Sequence, residues 1–157
     1  MFEEIRLAGN FTLSSGRKSS YFYDFNLLLP HEMTIHVKQL VNSIPRELAK
    51  RASFIASPAH GGIVPGFLAA FALDKPFVIL GKDGELRGPS FMDSPYIIVD
   101  DVVTSFQAVS KVQAALKKNT CIGVAALMYR GSVDEYSVYT ASKKYPLFYL
   151  ARGEQEV

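Results

Sequence analysis

Residues 95–108 read Pro95-Tyr96-Ile97-Ile98-Val99-Asp100-Asp101-Val102-Val103-Thr104-Ser105-Phe106-Gln107-Ala108. The run 96–99 is short, apolar and mostly β-branched behind a proline, so it reads as a buried strand of a parallel sheet. Asp100 and Asp101 follow where that strand is expected to end. Beyond Thr104 and Ser105, the apolar residues Ala108, Val109, Val112, Ala115 and Leu116 recur at helical spacing. The order is strand, acidic turn, helix. In open α/β sheets ligands lie beyond the carboxyl ends of strands, and a helix starting there aims unpaired N–H groups and a positive dipole end at an anion. The hydroxyls of Thr104 and Ser105 add donors for a phosphate, whereas the carboxylates suit sugar hydroxyls or a bound Mg²⁺. A plainer use is open to the same residues, because Asp101, Thr104 or Ser105 can simply cap the helix.

A second unit repeats this logic. Phe54-Ile55-Ala56 is a short strand, followed by Ser57-Pro58-Ala59-His60-Gly61-Gly62 and an apolar helix over 63–73. Paired glycines let backbone approach a ligand closely, although a tight turn alone also accounts for them. Pro65 falls early in the helix, where a missing N–H is tolerated. Upstream, residues 31–51 are helical, with Met33, Val37, Leu40, Val41, Ile44 and Leu48 as an apolar stripe that Pro45 kinks or splits. His31 and His36 are five apart, which is not one face of a helix, and they are assigned no metal role.

The remaining segments are shorter. Residues 2–7 read as a short helix with Phe2 and Ile5 on its buried side, ending at Gly9-Asn10, and residues 11–24 as two strand-like runs around a turn at Ser15-Gly16, a basic-tipped hairpin. Residues 77–80 form a third strand, 81–94 a polar loop and 122–128 a fourth core strand. Short strands are expected at 136–140 and 147–150 around the basic turn Lys143-Lys144, and the charged end is expected to fray.

With 157 residues the chain is read as one domain with a single sizeable core. Its 17 basic and 15 acidic residues leave a net charge of +2, with no basic stripe for nucleic acid. One cysteine, Cys121, is expected buried and inert, and allows no internal disulfide, which points to a reducing cytoplasm. Glu3, Glu4 and Arg6 interrupt any signal-peptide core, and no apolar run approaches membrane-spanning length.

Val99-Asp100-Asp101-Val102-Val103-Thr104 resembles the phosphoribosyl-pyrophosphate (PRPP) motif of the type I phosphoribosyltransferases. The resemblance implies that Asp100 and Asp101 hold ribose hydroxyls, while Thr104, Ser105, Phe106, Gln107 and Ala108 cradle the 5′-phosphate. Phe106 and Gln107 stand where that motif has Gly and Thr. If the turn needs a left-handed backbone at Phe106, a side chain there costs roughly 1–2 kcal/mol, and its ring is expected to crowd the phosphate. The loop Ala59-His60-Gly61-Gly62 resembles the family's pyrophosphate loop.

Three further stretches resemble the orotate phosphoribosyltransferase branch. Residues 11–24 are similar to its N-terminal segment, a hood over the base, which implies base contacts from Tyr21 and Phe22; Ser14 takes the place of a lysine there. Gly81 to Gly88 is similar to its mobile catalytic loop. Lys82 and Gly88 match, and Gly81, Glu85 and Arg87 replace an arginine, a lysine and a histidine. Lys82 and Arg87 are then the catalytic cations beside Asp100 and Asp101, and Glu85 is expected to repel the departing pyrophosphate. Arg130 matches an arginine that meets the base carboxylate, with Tyr129 in place of an aspartate.

The fold implied is α/β: a doubly wound, mostly parallel sheet, with a small N-terminal hood mainly over residues 1–30 and a core over about 31–150. The function implied is transfer of phosphoribosyl from PRPP to a pyrimidine base in a cytoplasmic homodimer whose loop reaches its neighbour's site. Mg²⁺ is expected to enter through PRPP or pyrophosphate, not by direct protein ligation. The substitutions leave a competitor open, a catalytically weak or inactive PRPP- or nucleotide-binding regulator of the same fold. A receiver-type signalling domain ranks last, since its acidic pair belongs near a first strand.

Overall fold

The computed structural model describes residues 1–13, 16–131 and 145–153. Arg6–Thr12 (β1) and Lys18–Tyr23 (β2) form an antiparallel hairpin. Helices Pro30–Ser43 (α1) and Arg46–Arg51 (α2) follow, then Phe54–Pro58 (β3), Ile63–Leu73 (α3), Phe77–Leu80 (β4) and Leu86–Arg87 (β5). Pro95–Val103 (β6), Gln107–Ala115 (α4), Thr120–Tyr129 (β7) and Leu147–Arg152 (β8) complete the described elements.

Six strands form one sheet in the order β5-β4-β3-β6-β7-β8, with every pair parallel except β4 and β5. From β3 the chain moves outward to β4, then returns across β3 to place β6 on its other side. The strand order therefore reverses between β3 and β6, the switch point at which such sheets bind ligands. Alternation along the buried strands divides the core. Ile55, Ile97 and Val99 face a layer with Met33, Val37 and Leu40 of α1 and Ala69 and Ala70 of α3. Phe54, Ala56, Tyr96 and Ile98 face Val109 and Val112 of α4. Continuous apolar strands are what a sheet covered on both faces demands.

The helix boundaries follow local chemistry. Pro30 opens α1 at a position that loses no hydrogen bond, and the Glu32 carboxylate accepts from Leu29 N–H at 3.0 Å. Pro45 divides the helical region in two, as its missing N–H requires.

Three readings are corrected. The N-terminal segment is only a 3-10 turn, Glu3–Ile5, before β1, and Gly9 and Asn10 lie inside that strand at an irregularity between Ala8 and Phe11. The central strand does not stop at Val99. Pairing with β7 continues through Asp100↔Ala126 and Val102↔Met128 to Val103↔Tyr129, whereas pairing with β3 ends at Ala56↔Ile98. The acidic pair therefore sits inside a strand that has lost one neighbour. Cys121 is half-buried, and burial pushes its thiol up to about 11, so it stays protonated near neutral pH. The expected strand at 136–140, the turn at Lys143-Lys144 and the C-terminal end lie outside the described residues.

Candidate active site

Where β3 stops pairing with β6, the chain beyond Pro58 turns across the exposed flank of the acidic pair. A side chain on Gly61 would run into the Asp101 carboxylate, and a Cβ on Gly62 would stand 3.0 Å from Asp100 Oδ1. Only glycines let this loop lie directly against the carboxylates. Two segments some forty residues apart in sequence thus become one wall of a cavity of about 730 Å³.

The acidic residues are fixed by their own backbone. Asp101 N–H donates to Asp100 Oδ1 at 2.8 Å, and Val102 N–H donates to Asp101 Oδ1 at 2.7 Å. Burial pushes the Asp100 carboxyl well above its ordinary value, and the adjacent charge of Asp101 adds to this while Lys82 opposes it. Asp101 is also raised by burial, against the hydrogen bonds it accepts. Two carboxylates this close titrate as a pair.

That shift has a sign. The folded chain holds a proton over a pH range in which the unfolded chain has released it. Stability contributed by the pair is therefore greatest below the ordinary carboxylate value and declines as pH rises through the raised one. Asp100→Asn keeps an acceptor for Asp101 N–H and removes one charge. It is expected to raise Tm near neutral pH by about 2–4 °C, the shift that about 1 kcal/mol produces in a domain of this size, and to flatten Tm against pH. A lower Tm in scanning calorimetry would contradict this.

The turn after β6 divides its residues between cavity and core. Thr104, Gln107 and Ala108 line the cavity. Ser105 is buried outside the lining, and the Phe106 ring packs inward, 2% exposed, with its centroid 6.0 Å from that of Tyr129. Phe106 does have the left-handed backbone, φ 62° and ψ 12°, but its ring points away from the site and does not crowd it.

The remaining expected residues separate in the same way. Ala59, His60, Gly61, Lys82, Phe22 and Arg130 line the cavity, while Gly62, Tyr21, Arg87 and Glu85 do not. The Tyr21 ring lies under the Arg6 guanidinium at 4.7 Å. Arg87 grips Asp83 through two bonds, at 3.2 and 2.8 Å, and holds that carboxyl down to about 2. This pair closes a hairpin in which Gly81 N–H donates to Glu85 O at 2.9 Å. Arg130, 3% exposed, donates to Ser19 Oγ at 2.9 Å and to Tyr21 O at 3.3 Å, which ties the hood to the end of β7. Ser14 lies outside the described residues.

Several cavity residues carried no signal strong enough to single them out. Thr12, Tyr23, Asp24 and Asn26 come from the hood, where Asp24 accepts from Asn26 N–H at 3.0 Å. Lys111 was legible in principle, because it lies one helical turn beyond Gln107 on the same face. Among the described residues, no group of three or more His, Cys, Asp or Glu is placed to hold a metal by itself.

No family model matches the chain. It is 34% identical over 120 residues to the orotate phosphoribosyltransferase of Sphingopyxis alaskensis, covering 69% of this chain and 61% of that protein. It is 30% identical over 142 residues to that of Pelotomaculum thermopropionicum, covering 82% and 72%. In structure it is similar to the orotate phosphoribosyltransferase of Aeropyrum pernix, with a TM-score of 0.79 at 24% identity over 95% of this chain and 89% of that one. The adenine phosphoribosyltransferase of Thermoanaerobacter pseudethanolicus shares the fold, with a TM-score of 0.71 at 15% identity over 98% and 100%.

Proposed function

The chain belongs to the orotate phosphoribosyltransferase family of type I phosphoribosyltransferases, and from that premise we propose that it binds PRPP and transfers its phosphoribosyl group to a pyrimidine base. One observation carries this reading. The glycine loop after β3 and the acidic strand end of β6 meet at the switch point, Gly61 against Asp101 and Gly62 beside Asp100. A pyrophosphate at the first and a ribose at the second would then share one cavity.

In this reading Asp100 and Asp101 hold the ribose hydroxyls as positive charge develops on the sugar, and Thr104 with the following amides holds the 5′-phosphate. Lys82 faces the departing pyrophosphate, with Arg87 holding the hairpin that carries it. Phe22 and Arg130 border the base, with Tyr21 behind them. Mg²⁺ suits this site, since it keeps several waters and takes substrate phosphates as ligands. With Asp100 and Asp101 taken up by the ribose hydroxyls, the ion would come in on the phosphates of PRPP or pyrophosphate rather than by direct protein ligation, and would supply neutralising charge there. The matched relatives bear the name of an enzyme, which supports the transferase over an inactive regulator.

A thermal-shift panel of PRPP, pyrophosphate, orotate and nucleoside monophosphates, with and without Mg²⁺, followed by a turnover assay with orotate, tests the proposal. Stabilisation by PRPP and consumption of orotate are expected. No shift with any phosphorylated ligand at millimolar concentration would overturn it. No described helix is long and apolar enough to cross a membrane, and a cytoplasmic location is part of the same proposal.

The partner in this reading is a second copy. Val64, Phe67 and Phe71 project from one side of α3, and Phe71 is 79% exposed. An apolar stripe of this kind costs solvation unless covered. Sedimentation at about tens of micromolar is expected to give a dimer, since interfaces with such anchors commonly hold at that range, and Phe67→Asp with Phe71→Asp is expected to give a monomer. A dimer that survives both substitutions would place the interface elsewhere.

A further inference from the structure

We infer that Phe106 is a positioning residue, the pin that fixes the turn from Thr104 to Gln107 in the shape that receives a phosphate. The inference rests on the proposed PRPP reading and deepens it.

Phe106 immediately precedes α4. Its carbonyl accepts the first bond of that helix, from Ser110 N–H at 2.8 Å. Its backbone is left-handed, a conformation that a side chain disfavours and glycine does not. A phenylalanine persists there only if its ring returns more than the strain removes, and its surroundings show how. The ring meets the buried ring of Tyr129 edge-on, at an interplanar angle of 61°. Tyr129 in turn packs on Tyr149, with centroids 5.5 Å apart, and lies 4.9 Å beneath the Arg152 guanidinium. Arg152 Nη2 donates to Gly131 O at 2.7 Å, and Gly153 N–H donates to Tyr129 O at 2.9 Å. The pin is therefore seated in the ends of β7 and β8, which are anchored to each other.

Apart from Ser105, which is buried beside the pin, the residues flanking it do the opposite. Thr104 before it and Gln107 and Ala108 after it line the cavity. A turn whose middle is drawn into the core presents its flanking hydroxyl and amides outward in one arrangement. Donors held this way need no ordering when the anion arrives, which is the source of affinity in a preorganised site. Phe106 and Tyr129, both departures from the pattern that this chain resembles, form one packing unit: the aromatic at 129 supplies the wall that makes the aromatic at 106 tenable.

Calorimetric titration with PRPP and, separately, with inorganic pyrophosphate tests this, because only PRPP carries the 5′-phosphate. Phe106→Gly relieves the backbone strain but removes the pin. It is expected to weaken PRPP about tenfold or more while leaving pyrophosphate within about twofold, the loss falling on the unorganised turn alone. Phe106→Leu, which refills the core, is expected to recover most of the affinity. The double variant Phe106→Gly with Tyr129→Leu is expected to bind PRPP no worse than Phe106→Gly. PRPP binding by Phe106→Gly as tight as wild type would overturn the inference while the PRPP reading stands. Equal weakening of both ligands would also overturn it, because it marks a general loss of structure. Wild-type protein that binds neither ligand would overturn the PRPP reading and this inference with it.

Discussion

Asp100→Asn combined with Asp101→Asn is expected to abolish stabilisation by PRPP and to leave the fold intact. Wild-type protein at a ligand concentration a hundred times its dissociation constant gains about 2.7 kcal/mol, and the double variant is expected to gain none of it. The carboxylates face a cavity, and burial and mutual repulsion already penalise their charge. Removing that charge therefore relieves the apo protein while it leaves the ribose hydroxyls only neutral amide oxygens in place of charged acceptors. The two effects have opposite signs in one thermal scan: a higher Tm without ligand and no rise with it. Orotate turnover is expected to fall by at least about 10²–10³-fold, as for loss of a group that acts on transition-state charge. An unchanged PRPP shift would assign the pair to capping and backbone bracing, the role that the Asp101 and Val102 N–H bonds already illustrate.

Lys82→Ala is expected to lower kcat about 10²–10³-fold with a smaller change in KM for PRPP, because positive charge on a departing pyrophosphate matters most in the transition state. The hairpin that carries Lys82 is held by Gly81 N–H to Glu85 O, Glu85 N–H to Asp83 Oδ1 and the Asp83–Arg87 pair. Its tip contributes Gly81, Lys82 and Gly84 to the cavity. Arg87→Ala is expected to cost less than about tenfold, since the guanidinium lies outside the cavity and, with its exposed ion pair worth little, the Gly81–Glu85 and Glu85–Asp83 bonds still hold the hairpin. A loss as large as that of Lys82→Ala would show that the guanidinium itself reaches the pyrophosphate. Glu85 stands outside the cavity lining, so Glu85→Lys is expected to change turnover far less than Lys82→Ala does.

Much of this was legible along the chain. Apolar runs of four residues behind Pro76 and Pro95, with helical periodicity over 63–73 before the first and from Ala108 after the second, leave few options other than a parallel sheet covered on both faces. The pairing of β3, β4, β6 and β7 agrees with that reading. The split at Pro45 and the helix start after Gly62 also followed from local rules, because a missing N–H and a flexible backbone act within one or two residues of where they stand.

What local rules could not supply was direction and length. Whether the chain after Val99 turns or continues depends on whether a neighbouring strand still offers partners, and β7 does so up to Tyr129. That Phe106 looks into the core and not into the cavity depends on Tyr129, Tyr149 and Arg152, which arrive from two other strands. The layered α/β architecture and the places of the two strand-to-helix loops were already set along the chain, since periodicity and glycine are properties of short stretches. The tertiary structure alone decided that Gly61 lies on Asp101, that Arg130 is tied to the hood and that Arg87 is turned toward Asp83. Each of these is a contact between surfaces brought together only when the sheet forms, and side-chain direction is set by what is already there to pack against.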